Sequence, residues 1–68
     1  MYIVYCVGEK VQVCNSSKAA FDVARAYLSC YFGYEKLGEL EESYERDSND
    51  FGVMGYVWVQ KLKVGDKI

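Results

Sequence analysis

The sequence contains no histidine, the side chain whose charge changes closest to neutral pH. Hydrolases with a serine or cysteine nucleophile rely on histidine as general base, so its absence removes their usual proton acceptor. The glycines are scattered and form no phosphate-binding loop of the kind found in nucleotide enzymes. We therefore predict that the chain is not an enzyme and has no catalytic residues.

Cysteine is scarce as well, since Cys6, Cys14 and Cys30 are an odd number without Cys-x-x-Cys spacing. This pattern does not predict a disulfide framework. It also lacks the ligand spacing of zinc sites. We expect reduced thiols that serve mainly in packing, with no metal and no cofactor.

Long hydrophobic runs are also missing. The apolar run that opens the chain ends at Gly8, too short for a membrane span, and no basic leader accompanies it. The 68 residues have room for a single domain over 1–68, which at this size is only marginally stable. We expect a cytoplasmic domain without membrane contact, to which self-association as a homodimer would add stability.

The first structured segment predicted is a β-hairpin over residues 2–14, which are rich in β-branched and aromatic side chains. Gly8 suits the first central position of a type II′ turn, and that turn pairs Cys6 with Val11. The register then assigns one set of side chains to the core face. This set is Tyr2, Val4, Cys6, Val11 and Val13.

A helix is predicted next, from about Ser16 to Phe32, because cap-forming side chains precede a run of good helix formers and Gly33 follows as a C-cap. Its core stripe is predicted to be Ala20, Ala24, Tyr27, Leu28 and Tyr31. Residues 34–50 favour a short amphipathic helix with an irregular strand as the alternative, and 47–50 read as a loop.

The last predicted element is a strand from about Val53 to Val64, with Val57 and Val59 on one face. The other face is predicted to hold Tyr56, Trp58, Leu62 and Val64. The expected fold is therefore α+β: a small three-stranded antiparallel sheet with one main helix packed on one face, in the order ββα(α)β. The second sheet face, including Tyr5, Tyr56 and Trp58, is expected to be exposed or to pack beneath residues 34–50.

Charge is distributed unevenly. Residues 35–50 hold seven acids and two bases, whereas the rest of the chain holds three acids and six bases. One interpretation is a solvated segment that keeps the protein soluble. The other is an acidic docking surface for a basic partner, such as a protein that normally holds nucleic acid.

Direct nucleic-acid binding is the rival hypothesis. Lysines near Tyr56 and Trp58 could add phosphate contacts to stacking rings, namely Lys10, Lys61, Lys63 and Lys67. The calculated isoelectric point near 4.9 and the lack of a dense basic stripe argue against it.

The segment VQVCNSSKAAFDVARAYL, together with the final strand, resembles small ββαβ accessory proteins encoded by bacteriophages and prophages. Proteins of that kind often inhibit a host enzyme or a defence complex, as anti-CRISPR proteins do, commonly by covering a nucleic-acid-binding surface. The resemblance thus implies a class of role in the host cytoplasm and assigns no functional residue.

We predict from these observations an inhibitor or regulator that occludes a functional surface of a host protein or protein complex. Abundant aromatic residues support an interface role, since tyrosine and tryptophan are enriched at binding hot spots. A nucleic-acid-binding regulator and a structural virion or assembly protein are the alternatives. The predicted partner-binding residues are Glu39, Glu41, Glu42, Tyr44, Glu45, Asp47, Tyr56 and Trp58.

Overall fold

The structure, a computed structural model, describes residues 1–62. Its elements are β1 (Tyr2–Cys6), β2 (Glu9–Cys14), α1 (Ser17–Phe32), α2 (Leu37–Arg46), β3 (Asp50–Val53) and β4 (Val57–Lys61). The strands form one antiparallel sheet in the order β2-β1-β4-β3. Helix α1 packs on the central strands and α2 packs against β3. The α+β class is confirmed, but within residues 1–62 the sheet has four strands rather than three, and the optional second helix of the predicted order is present as α2.

The extra strand, β3, begins at Asp50, which was wrongly predicted to lie in a loop, and ends at Val53, where the predicted final strand turns back as a hairpin. The backbone N–H of Tyr56 donates to the carbonyl of Val53 at 3.0 Å, and Gly55 adopts a φ of 89° that closes the turn. The prediction of one strand from Val53 to Val64 was therefore wrong, and Val64 itself lies outside the described residues. Glycine at the third position of such a turn marks a reversal of the chain rather than a bend within a strand.

The first hairpin also differs in register from the prediction. Val7 and Gly8 are the two central turn residues, with φ of 51° and 81°, as in a type I′ turn, so that Cys6 pairs with Glu9 rather than with Val11. A bulge opposite Val4 and Tyr5 then shifts the ladder. As a result Cys14, and not Val13, joins the core cluster.

Helix α1 begins where the sequence predicts. The Ser16 hydroxyl accepts a hydrogen bond from the Ala19 backbone N–H at 3.1 Å, which satisfies one of the free donors of the first turn. Ala20, Ala24 and Leu28 are completely buried, as the helical pattern predicted. Tyr31 is 67% exposed, so its assignment to the core stripe was wrong. It lies in the last turn of α1, beside the turn that ends the β1–β2 hairpin, where little of the sheet is left to cover it.

Helix α2 is the short amphipathic helix favoured for this segment. Leu40 is completely buried, and the Tyr44 ring packs against Phe21 and Phe51, with centroid distances of 4.5 and 4.9 Å. The hydroxyl of Ser43 accepts a hydrogen bond from the Gly52 backbone N–H at 3.0 Å, which ties the helix to the edge strand β3. One side of α2 thus completes the core and the other remains in solvent.

Candidate functional site

The two faces of the sheet differ in what covers them. Val4 and Val59 are directly paired and completely buried beneath the helices. The next pair along the same strands, Tyr5 and Trp58, points to the opposite face because side chains alternate along a strand. Among residues 1–62 neither helix lies on that face. We call it the open face.

A shallow groove of about 540 Å³ lies at the turn end of the open face. Its floor and rim are formed mainly by five side chains, Tyr5, Val7, Met54, Trp58 and Gln60, and we call it the sheet groove. Ile3 lies on the same face but is only 5% exposed, so the exposed apolar surface is concentrated nearer the turns. The groove is thus defined by side chains from β1, β4 and the two turns.

The rim of the sheet groove is formed by the β1–β2 turn and the β3–β4 turn, which are joined by a backbone hydrogen bond. The backbone N–H of Val7 donates to the carbonyl of Tyr56 at 2.8 Å. Val7 is 64% exposed and Met54 is 84% exposed. Each of the two connected turns therefore presents a largely exposed apolar side chain to the groove.

The Trp58 ring has its own supports. A Cβ added at Gly52 would come within 2.8 Å of Trp58 Cε3 and would clash with the Val57 carbonyl oxygen, so only glycine leaves space for the ring there. The indole N–H donates to the Asp50 carboxylate. Because packing and a hydrogen bond both fix the ring, Trp58 presents a preorganised aromatic surface.

An acidic cleft borders the sheet groove on the α2 side. It is lined by Glu39, Glu42, Ser43 and Arg46 from α2, and by Gly52, Val53, Met54 and Trp58 from the β3–β4 hairpin. Met54 and Trp58 line both the cleft and the sheet groove. One continuous surface therefore joins apolar side chains to two exposed glutamates.

The eight predicted partner-binding residues fall into different places. Glu39, Glu42 and Trp58 come together in the acidic cleft, whereas Glu41 and Glu45 are exposed on α2 and do not line the cleft. The Asp47 carboxylate accepts a hydrogen bond from the Asn49 backbone N–H at 2.9 Å and so shapes the turn before β3.

The two predicted tyrosines are used partly in packing. Tyr44 is half-buried against the phenylalanines of the core. Tyr56 packs edge-on against Phe32 at a centroid distance of 4.8 Å, and the Lys36 ammonium lies 5.7 Å from its ring centre. The Tyr56 ring therefore packs on the helix side, although Tyr56 also lines the sheet groove together with Trp58.

Sequence reasoning did not include Val7 and Met54 among the site residues. Their importance depends on the positions of two turns, one of which was read as part of a strand. For Val7, the sequence does contain one unusual feature: an apolar β-branched residue directly before Gly8 in a tight turn, where Asn or Gly is more usual.

The cysteines differ in environment. Burial raises the pKa of the Cys6 thiol, with a further increase from nearby Glu9, and burial alone raises the pKa of Cys14. Cys30 is exposed on α1. A raised pKa lowers the thiolate fraction at neutral pH, and the thiolate is the reactive form, so Cys6 and Cys14 are poorly suited to nucleophilic chemistry.

Comparison of the chain with protein-family models, with curated proteins and with solved structures found no match. In the part of the chain that the structure describes, no helix is long and apolar enough to cross a membrane. Within the same part, no three histidine, cysteine, aspartate or glutamate side chains are grouped so that they could hold a metal ion.

Proposed function

We propose that this chain binds a protein partner and inhibits or regulates it by covering a functional surface. The observation that carries the proposal is the continuity of the sheet groove with the acidic cleft, through the shared side chains of Met54 and Trp58. This is the role that the resemblance to phage-encoded inhibitors also implies.

The apolar side of this surface has the composition of a binding hot spot. Tryptophan, tyrosine and methionine are enriched at protein interfaces. Val7 and Met54 are mostly exposed, and a partner that covered them would remove apolar area from water. Since Trp58 is already fixed over Gly52, binding would cost little side-chain entropy there.

The acidic side favours a basic partner. Glu39 and Glu42 line the cleft with Arg46, and the Lys36 ammonium lies 3.4 Å from the Glu39 carboxylate, while Glu41 and Glu45 add negative charge to the outer surface of α2. Complementary charge speeds encounter and excludes partners of the wrong sign. A host protein whose own site is basic, such as one that binds nucleic acid, matches this surface.

Direct nucleic-acid binding remains the alternative. Lys10 and Lys61 are exposed, whereas Lys63 and Lys67 lie outside the described residues. Trp58, the ring proposed for stacking, donates a hydrogen bond to the Asp50 carboxylate and lies beside the glutamates of the cleft. These carboxylates would repel phosphate. The open face therefore favours a protein over a nucleic acid. A structural virion or assembly role has no specific observation in its favour.

The test is an affinity capture from bacterial lysate with the tagged chain, at low and high salt, with and without nuclease. Met54→Ser removes an exposed groove side chain, and Tyr34→Ser is a matched control, because Tyr34 is 78% exposed and does not line the groove. We expect a protein that survives nuclease, is lost at high salt and is lost with Met54→Ser but kept with Tyr34→Ser. Recovery that depends on intact nucleic acid would contradict the proposal.

A further inference from the structure

Val7 occupies a conformation that its side chain disfavours. Its φ is 51°, in the left-handed region that β-branched residues rarely enter. A two-residue turn of this type prefers Asn followed by Gly, and here Gly8 is present but Asn is not. The first central position of the turn therefore carries local backbone strain.

Burial does not offset this strain. The Val7 side chain is 64% exposed, so it gains little from the core. Valine at position 7 is therefore unfavourable in its backbone conformation, and it buries little apolar area to offset that cost. Residues that conflict with their local structure are concentrated at functional sites, where a second requirement fixes the side chain.

The facing turn repeats the pattern. Met54 is 84% exposed at a turn position that has no need for an apolar side chain. Val7 and Met54 both line the sheet groove, above Tyr5 and Trp58. Both turns therefore present an apolar side chain to the same groove, which indicates a small apolar occupant.

The charged side chains beside the groove indicate which charge the binding segment should carry next to its apolar residue. Glu39, Glu42 and Asp50 lie near Trp58, and they outnumber the two nearby bases, Arg46 in the cleft and Lys36, whose ammonium lies 3.4 Å from the Glu39 carboxylate. A second copy of this chain, packed groove to groove around a two-fold axis, would bring two such acidic rims together. A segment rich in lysine or arginine would instead complement them.

We propose that the sheet groove binds a short basic segment of a protein partner. One apolar side chain of that segment sits between Val7 and Met54, over Tyr5 and Trp58, and an adjacent lysine or arginine enters the acidic cleft. This inference rests on the proposed function and specifies the chemistry of the partner.

The experiment is selection of short random peptides displayed on phage against the purified chain, followed by titration of synthetic copies of the enriched peptides. Trp58 is the only tryptophan of the chain, so its fluorescence reports directly on occupancy of the groove. We expect enriched peptides with an apolar residue next to lysine or arginine. Met54→Ser should weaken their binding by about tenfold or more, as loss of a hot-spot side chain does.

Two further comparisons sharpen the test. Val7→Asn should weaken peptide binding and raise the thermal midpoint of unfolding, a combination that damage to the fold does not produce. The double variant Glu39→Gln/Glu42→Gln should flatten the salt dependence of binding more than Glu41→Gln/Glu45→Gln, which makes the same change in net charge away from the cleft.

The outcomes separate this inference from the proposed function. Groove-dependent peptides that are neutral or acidic would overturn the basic segment and leave protein binding in place. Failure to obtain any peptide sensitive to Met54→Ser would count against both. Self-association that is seen by sedimentation and abolished by Met54→Ser would replace the basic segment with a second copy.

Discussion

The covered and open faces of the sheet are built from alternate residues of the same two central strands. On the covered face, Val4 and Val59 are completely buried and local preference agrees with packing. On the open face, Trp58 needs Gly52 and Asp50 to hold its position, and the adjoining turns expose Val7 and Met54. Under the proposed function, the fold is stabilised from one side of the sheet and the partner is bound on the other.

The largest effect should come from the covered face. Leu40→Ala would leave a cavity at a completely buried position, and we expect it to lower the free energy of unfolding by about 2 to 5 kcal/mol. Urea unfolding followed by circular dichroism measures it. Glu41→Ala changes the next, exposed residue and should stay within about 0.5 kcal/mol. Equal decreases in the free energy of unfolding for both variants would show that the covered face does not carry the stability of the fold.

A smaller loss is expected at Gly52, where the open face meets the edge strand. Gly52→Ala adds a Cβ that would clash with Trp58 and the Val57 carbonyl, at a φ of 153°, and should destabilise by about 1 to 3 kcal/mol. The Trp58 fluorescence spectrum should change as well. Gly38→Ala is the matched control: with nothing within 4 Å, it should stabilise α2 by up to about 1 kcal/mol.

A substitution at Ser43 tests whether its hydrogen bond to Gly52 holds α2 against the edge strand β3. Ser43→Ala would leave the Gly52 backbone N–H without its partner and should destabilise by about 1 kcal/mol, since the site is only partly buried. Hydrogen exchange of the Gly52 amide should accelerate. Ser29→Ala removes a hydroxyl that bonds within α1, to the Ala26 carbonyl, and should change stability less. Unchanged exchange at Gly52 would argue against this role of Ser43.

The smallest effect on stability is expected on the rim of the open face. Met54→Ser should leave the free energy of unfolding within about 0.5 kcal/mol, because the side chain is 84% exposed. The same variant should show the large loss of partner binding expected above. A marked loss of stability would mean that Met54 supports the fold, and the contrast between the two faces would then fail.

Local patterns predicted most of the covered side of the molecule. The Ser16 cap, three of the five stripe residues of α1 and the short amphipathic helix in residues 34–50 follow from short-range preferences that packing supports. The placement of Val57 and Val59 on the core face is likewise confirmed.

The open side depended on features that composition does not fix. A bulge in β2 shifted the first hairpin, and the Gly55 turn divided what read as one strand. The turn at Val7 and Gly8 and the turn at Gly55 decide where Val7 and Met54 lie, so the sheet groove could not be located from the sequence. The eight predicted partner-binding residues remain a prediction, of which Glu39, Glu42 and Trp58 share one cleft.

The strand order has a consequence for biosynthesis. Strand β1 is made first, yet one of its two partners is β4, so its ladder is completed only after Val57–Lys61 have been synthesised. Pairing between such distant segments slows folding, because the loop must close before the contacts form. Until then β1 keeps an unpaired edge, which chaperones or neighbouring nascent chains would encounter. Among the described strands, β4 is therefore both the last to be synthesised and the one that joins β1 to β3 in the middle of the sheet.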